Sequence, residues 1–211
     1  MTRKLAVEAI GTFFLVFVIG QVVIGVEGPA LALAPVAIGS ALMTMVYAGG
    51  HVSGAHYNPA VTLAVWIRGK ATAGEVAPYW IAQVLGALLA AALVRYLKED
   101  VAIQAFAPAV GPALVAEFVV TFALAFVVLN VATTRSTAGN SYYGIAIGFT
   151  VLAGAFAVGG VSGGAFNPAV ALGAVVMGLI APAALWIFLV ANLLGGAAAA
   201  LVFNALGLDS A

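Results

Sequence analysis

The chain has 211 residues, of which 65% are hydrophobic and 7% charged, and its formal net charge is zero. Soluble domains carry about 25% charged residues, so no soluble core of this size could hide the apolar surface, and the composition requires the lipid bilayer as solvent. Zero net charge offers nothing to nucleic acid or another polyanion, and the absence of cysteine excludes disulfides, thiolate metal sites and cysteine nucleophiles.

The first apolar run, 5–26, follows Arg3 and Lys4. It is too long for a signal-peptide core and has no clear small-x-small cleavage site. At ~1.5 Å per residue it crosses ~30 Å of hydrocarbon, so it reads as a first span. Runs at 30–50, 77–94, 113–132, 142–161 and 183–206 bring the number of spans to six. Two further apolar segments, 58–67 and 167–180, are too short to cross, and each follows a glycine-rich connection, 49–54 and 159–164. The many glycines and alanines suit helices packed closely in lipid. Arg3, Lys4, Arg68, Lys70 and Arg135 share one side of this topology, and Arg95 and Lys98 lie on the other. The basic side is expected to be cytoplasmic, with both termini there, in a multi-pass plasma-membrane protein.

The chain repeats itself. A shift of 109 residues lays Val52–Val61 on Val161–Val170 with seven of ten positions identical. The same shift lays Glu8 on Glu117, Leu15 on Leu124, Ile38 on Ile147 and Gln83 on Asn192. One register held over a whole half is the mark of an internal repeat. Each half, about 1–100 and 110–211, contains an odd number of spans, so the halves enter from opposite faces of a single transmembrane domain. The expected fold is an all-α membrane protein of six transmembrane helices plus two re-entrant half-helices in an inverted repeat.

At the heart of the repeat stand the triplets Asn58-Pro59-Ala60 and Asn167-Pro168-Ala169. Asn suits a helix N-cap and Pro a first helical position. Each triplet therefore starts a half-helix, entering from opposite sides, so that two positive helix ends meet near the midplane. Non-helical backbone at that depth is tolerated only in protein or against a wet cavity, which makes the preceding loops the lining of a pore. The amides of Asn58 and Asn167 can donate to one passing oxygen, orienting a water so that a proton wire is broken while cations meet unfavourable dipole ends. The expected permeant is small and neutral.

These residues resemble the aquaporin and aquaglyceroporin family, the major intrinsic proteins. Ser53-Gly54-Ala55-His56-Tyr57-Asn58-Pro59-Ala60-Val61-Thr62 is similar to the family's first loop motif, Gly163-Gly164-Ala165-Phe166-Asn167-Pro168-Ala169 to its second, and Ala6-Val7-Glu8 with Gly11-Thr12-Phe13 to its first-helix signature. The resemblance implies a pore in each protomer of a homotetramer. The family usually carries Arg after the second triplet, within a narrow outer constriction of four positions. Counting from the triplets, those positions fall on Ile38, Ala155, Gly164 and Val170. Loss of the Arg removes five donors and a positive charge, and Val at that position also resembles some plant vacuolar-type members. A wider, uncharged filter is expected, passing water together with glycerol, urea, ammonia, hydrogen peroxide or neutral boric or arsenious acid.

Other readings stand beside this one. Glu8 and Glu117 are intramembrane carboxylates, which suit a proton relay or, with no partners along a path, a role supporting the re-entrant loops. His51 and His56 are expected to hydrogen-bond the first loop, although pH sensing is the alternative. Gly86, Ala90, Gly195 and Ala199 are expected at helix crossings, and Trp66, Trp80 and Trp186 in packing or at the membrane interface. A strict water channel and an inverted-repeat secondary transporter are the rival functions. No cofactor or metal is expected, and no nucleophile–base pair suggests an enzyme.

Overall fold

The computed structural model describes residues 1–209. Nine α-helices run in the order α1 (Thr2–Val23), α2 (Gly28–Ala32), α3 (Ala34–Ser53), α4 (Pro59–Ile67), α5 (Ala73–Leu97), α6 (Val110–Ala132), α7 (Tyr143–Ser162), α8 (Pro168–Met177) and α9 (Leu185–Ala205) among the described residues. Six of these, α1, α3, α5, α6, α7 and α9, are long and apolar enough to cross a bilayer. Helices α4 and α8 have nine and ten residues, which at ~1.5 Å per residue is about half a membrane's hydrocarbon thickness.

The first span ends earlier than expected and the third is longer at both ends, and two further departures have a clear physical cause. The second span does not begin near residue 30. A separate turn of helix, α2, starts at Gly28 (φ 58°) and ends before Leu33, and α3 restarts with Pro35 in its first turn. Proline is tolerated at that position because its missing N–H has no helical partner to lose. The glycine-rich connections are also shorter than expected. Helices α3 and α7 continue through Gly49-Gly50 and Gly159-Gly160 and stop only at the left-handed caps Gly54 and Gly163, whose N–H groups bond back to Gly50 O and Gly159 O. Glycine is a weak helix former in water, but a span in lipid has no water to satisfy its backbone, so the helical bonds are kept.

Packing follows the repeat. Helix α1 lies on α5 as α6 lies on α9, and α3 lies on α7, its own counterpart. The half-helices are exchanged: α4 packs on α9 of the other half, and α8 on α5. Small residues set these distances. A Cβ on Gly86 would lie 2.2 Å from Ala9 O, and one on Gly195 would lie 2.7 Å from Phe118 O. Between α3 and α7, a Cβ on Gly39 would lie 2.7 Å from Gly148 O. A side chain at any of these positions would clash, and the close backbone approach that glycine permits gains dispersion energy that bulkier residues would forfeit.

Charged groups collect at the two ends. Lys4 pairs with Glu75 at 2.8 Å and Arg68 with Asp209 at 2.8 Å, and Asp209 also accepts from Arg135 N at 3.2 Å. At the opposite end, Lys98 Nζ caps the last turn of α1, donating to Gln21 O at 2.8 Å and to Ile24 O. The connection after α5 is pinned there by one bridge, in which Phe106 N donates to Leu179 O at 2.9 Å and Ala181 N to Phe106 O at 3.0 Å.

Candidate functional site

The non-helical part of each re-entrant segment is five residues long, 54–58 and 163–167, and ends on the capping Asn. Left-handed φ values recur in both, at Gly54 (87°), Ala55 (50°) and Tyr57 (49°), and at Gly163 (96°), Gly164 (70°) and Phe166 (52°). For residues with a side chain this conformation costs of order 1–3 kcal/mol each, so surrounding bonds must hold it. A buried carboxylate does so in each half. Glu8 Oε1 accepts from Ser53 Oγ at 2.7 Å and His56 N at 2.9 Å, and Oε2 accepts from Tyr57 N at 2.7 Å and Gln83 Nε2 at 2.8 Å. Glu117 repeats the pattern with Ser162 Oγ at 2.7 Å, Ala165 N at 3.0 Å and Phe166 N at 2.7 Å. With the amides drawn outward, the carbonyls of Gly54, Ala55, His56, Gly163, Gly164 and Ala165 accept no hydrogen bond among the described residues.

Asn58 and Asn167 cap α4 and α8. Asn58 Oδ1 accepts from Ala60 N at 2.8 Å and Asn167 Oδ1 from Ala169 N at 2.9 Å. Beyond the expected caps, each amide also reaches across to the loop of the other half. Asn58 Nδ2 donates to Phe166 O at 2.8 Å, and Asn167 Nδ2 donates to Tyr57 O at 2.8 Å. Each amide nitrogen carries two hydrogens, so one on each side is left for a third group. Pro59, Ala60, Pro168 and Ala169 are buried in the first turns behind the two Asn.

The halves are not equivalent around this centre. In the first, His56 Nδ1 lies 3.1 Å from Thr62 Oγ1, which donates to Asn58 O at 3.1 Å and accepts from Gln83 Nε2 at 3.0 Å. Tyr79 and Trp80 add bonds to Ser53 O at 2.8 Å and Pro59 O at 3.0 Å. The second half puts Ala165 and Ala171 where His56 and Thr62 stand, and Asn192 bonds to Thr121 at 3.0 Å. His51 departs from expectation. It is exposed in the last turn of α3, its ring bonds to nothing among the described residues, and it faces a cavity with Lys70 and Arg135. The helix that persists to Ser53 turns position 51 away from the loop it was expected to support.

A series of three cavities that share lining residues runs through this centre. Its narrow part has a volume of about 30 Å³, bounded by the two Asn, the loop segments, Ile38, Gly164, Val170 and an aliphatic wall that includes Leu15, Leu42, Leu124 and Val151. That is room for one or two waters. Ile38, Gly164 and Val170 also border an outer cavity of about 550 Å³, which Ala155 lines as well. His56 borders both the narrow part and an inner cavity of about 300 Å³ beside Lys4, Lys70 and Glu75. The four residues Ile38, Ala155, Gly164 and Val170 thus all line the cavity of about 550 Å³, and Ala155 alone of them does not reach the narrow part; Val170 is 4% exposed, with its N–H 3.4 Å from Asn167 Oδ1. Sequence reasoning missed the aliphatic wall, although Leu15 and Leu124 fall in repeat register. It also missed Gln104 and Phe106, which reach the outer cavity from a connection with no periodic signal.

Residues 1–203 match the major intrinsic protein family. The chain is 39% identical to the putative aquaporin NIP4-1 of Arabidopsis thaliana, over 97% of this chain and 74% of that protein. It is 40% identical to the aquaporin NIP1-1 of the same plant, over 96% of this chain and 73% of that one. In fold it is similar to the crystal structure of the aquaglyceroporin from Plasmodium falciparum, with a TM-score of 0.84, 22% identity and coverage of 100% of this chain and 99% of that one.

Proposed function

The chain belongs to the major intrinsic protein family, and from that membership and the walls of its passage we propose that it is a broad-solute member with protons and ions turned back at the Asn58–Asn167 pair. Like its family, it is a passive transmembrane channel for water and small neutral solutes and not an enzyme. The finer reading is that glycerol, urea, ammonia, hydrogen peroxide or neutral boric or arsenious acid pass with water. One observation supports it: none of Ile38, Ala155, Gly164 and Val170, which together line the outer cavity, has a polar or charged side chain. A constriction without a fixed cation neither narrows around water nor favours it by hydrogen bonding.

Exclusion of protons and cations then falls to the centre. A permeating oxygen accepts the free Nδ2 hydrogens of Asn58 and Asn167 and turns its own hydrogens outward, which interrupts a chain of waters. The N-termini of α4 and α8 add positive dipole ends at the same place. Glu8 and Glu117 act as loop supports and not as a relay, since both oxygens of each are occupied by loop or neighbouring groups. The pore serves one single-domain protomer with halves at about 1–100 and 110–211. The working assembly is a homotetramer in the plasma membrane, with the Arg68, Lys70 and Arg135 end and both termini cytoplasmic.

Purified protein in proteoliposomes, shocked osmotically with each solute in turn, tests the reading. Flux of at least one solute along with water, linear in concentration, is expected. Water flux with every solute excluded leaves a strict water channel, and saturable, gradient-coupled uptake leaves a transporter.

A further inference from the structure

We propose that Gln104 is a specificity-determining residue of the outer mouth, its side-chain amide donating to the oxygen of a polyol or urea-like solute as that solute sheds water above the constriction. The proposal rests on the broad-solute reading of Ile38 and Val170. Among the described residues that line the outer cavity, Gln104 alone has a polar side chain. The backbone there offers acceptors without matching donors. Gly163 N is bound to Gly159 O at 2.9 Å, Gly164 N to Ser162 Oγ at 3.1 Å, and Ala165 N and Phe166 N to Glu117.

A solute with both hydroxyl or amide hydrogens and a carbonyl or hydroxyl oxygen can satisfy its hydrogens on the loop carbonyls. Its oxygen finds no side-chain donor before the two Asn except Gln104 Nε2, which carries two hydrogens, with Oε1 as an acceptor beside it. Stripping that oxygen of water without replacement is costly. The connection holding Gln104 is fixed on both sides of it. Ile103 packs against the core, within reach of Gly178, and Phe106 is bridged to Leu179 and Ala181. Gln104 itself is exposed and its amide makes no hydrogen bond among the described residues, so it is free to meet a solute. Its neutrality suits an uncharged ligand, where a Lys or Arg would add a field.

Wild-type protein, Gln104→Leu and Gln104→Asn are compared in proteoliposomes for water, urea and glycerol. Gln104→Leu is expected to lower urea and glycerol permeability relative to water about fivefold, the worth of one ordinary hydrogen bond, with Gln104→Asn much closer to wild type. Unchanged ratios in Gln104→Leu overturn the assignment and leave the broad-solute reading standing. A Gln104→Asn variant as low as Gln104→Leu also overturns it, because disturbance of the connection then explains the loss. Wild-type protein that passes water and neither solute overturns both.

Discussion

Asn58 and Asn167 hold each other's loops: the amide of each donates, at 2.8 Å, to the carbonyl just before the other. The two half-helices are thereby joined end to end by side chains that also cap them. Replacing either Asn by Ala removes a helix cap and leaves a buried carbonyl unpaired, which together amount to roughly 2–4 kcal/mol. Asn58→Ala and Asn167→Ala are both expected to lower the thermal midpoint in detergent and to allow proton leakage in pH-jump liposome assays. Because the bonds are reciprocal, the double variant should cost less than the sum of the singles. Additive losses would show that the two cross-bonds are independent of one another.

Close helix crossings carry a second expectation. A methyl group on Gly86 would sit 2.2 Å from Ala9 O, against 2.7 Å from Phe118 O for one on Gly195. The blocking atoms are backbone and cannot rotate away, so α5 must move off α1 in the first case and α9 off α6 in the second. Gly86→Ala is expected to destabilise by about 1–3 kcal/mol, and Gly195→Ala by less. Thermal melting of both variants in one detergent checks the order.

What the sequence could reveal was set by whether a feature is local or repeated. Asn58 with Pro59 and Asn167 with Pro168 state their helix starts in adjacent residues, and the repeat register singled out Glu8 with Glu117. His51 misled because proximity in sequence to the loop stood in for direction, and a helix that continues to Ser53 reverses that direction. Gly49 and Gly159 misled because glycine ends helices in water more readily than in lipid. Leu42 and Val151 stand in the repeat register, yet that they border the narrow part, and that Gln104 lines the outer cavity, comes from tertiary packing that local spacing does not spell out.

The Asp209 clasp has a pH signature. Its side-chain bond to Arg68, helped by the Arg135 amide, holds its carboxyl below the ordinary value of 3.8. A carboxylate depressed in the folded state adds stability that is fully present above the unfolded value and is lost as pH falls through the folded one. Wild type is therefore expected to melt slightly above Asp209→Asn at neutral pH, with the difference closing only below about pH 4. The carboxylate is half-buried and still meets solvent, so the difference is small. A gap that does not narrow at all as pH falls below the ordinary value would mean that the carboxylate charge is not what Arg68 responds to.

Val170 is the position where one substitution should change what passes. It borders both the narrow passage and the outer cavity of about 550 Å³, so a longer side chain there has somewhere to extend. Val170→Arg brings five donors and a permanent charge to a wall of Ile38, Ala155 and Gly164 that has neither. The guanidinium would occupy the width that a polyol needs and offer water the hydrogen bonds it now lacks. Glycerol and urea permeability are expected to fall about tenfold or more, within the range one altered pocket contact produces, while water flux changes far less. Val170→Met separates size from charge: it should lower glycerol flux by a smaller factor and leave the response to urea closer to wild type. Both are read by stopped-flow light scattering on liposomes of matched protein content. If the Arg variant still conducts glycerol as wild type does, the constriction lies elsewhere and Val170 is only part of its wall.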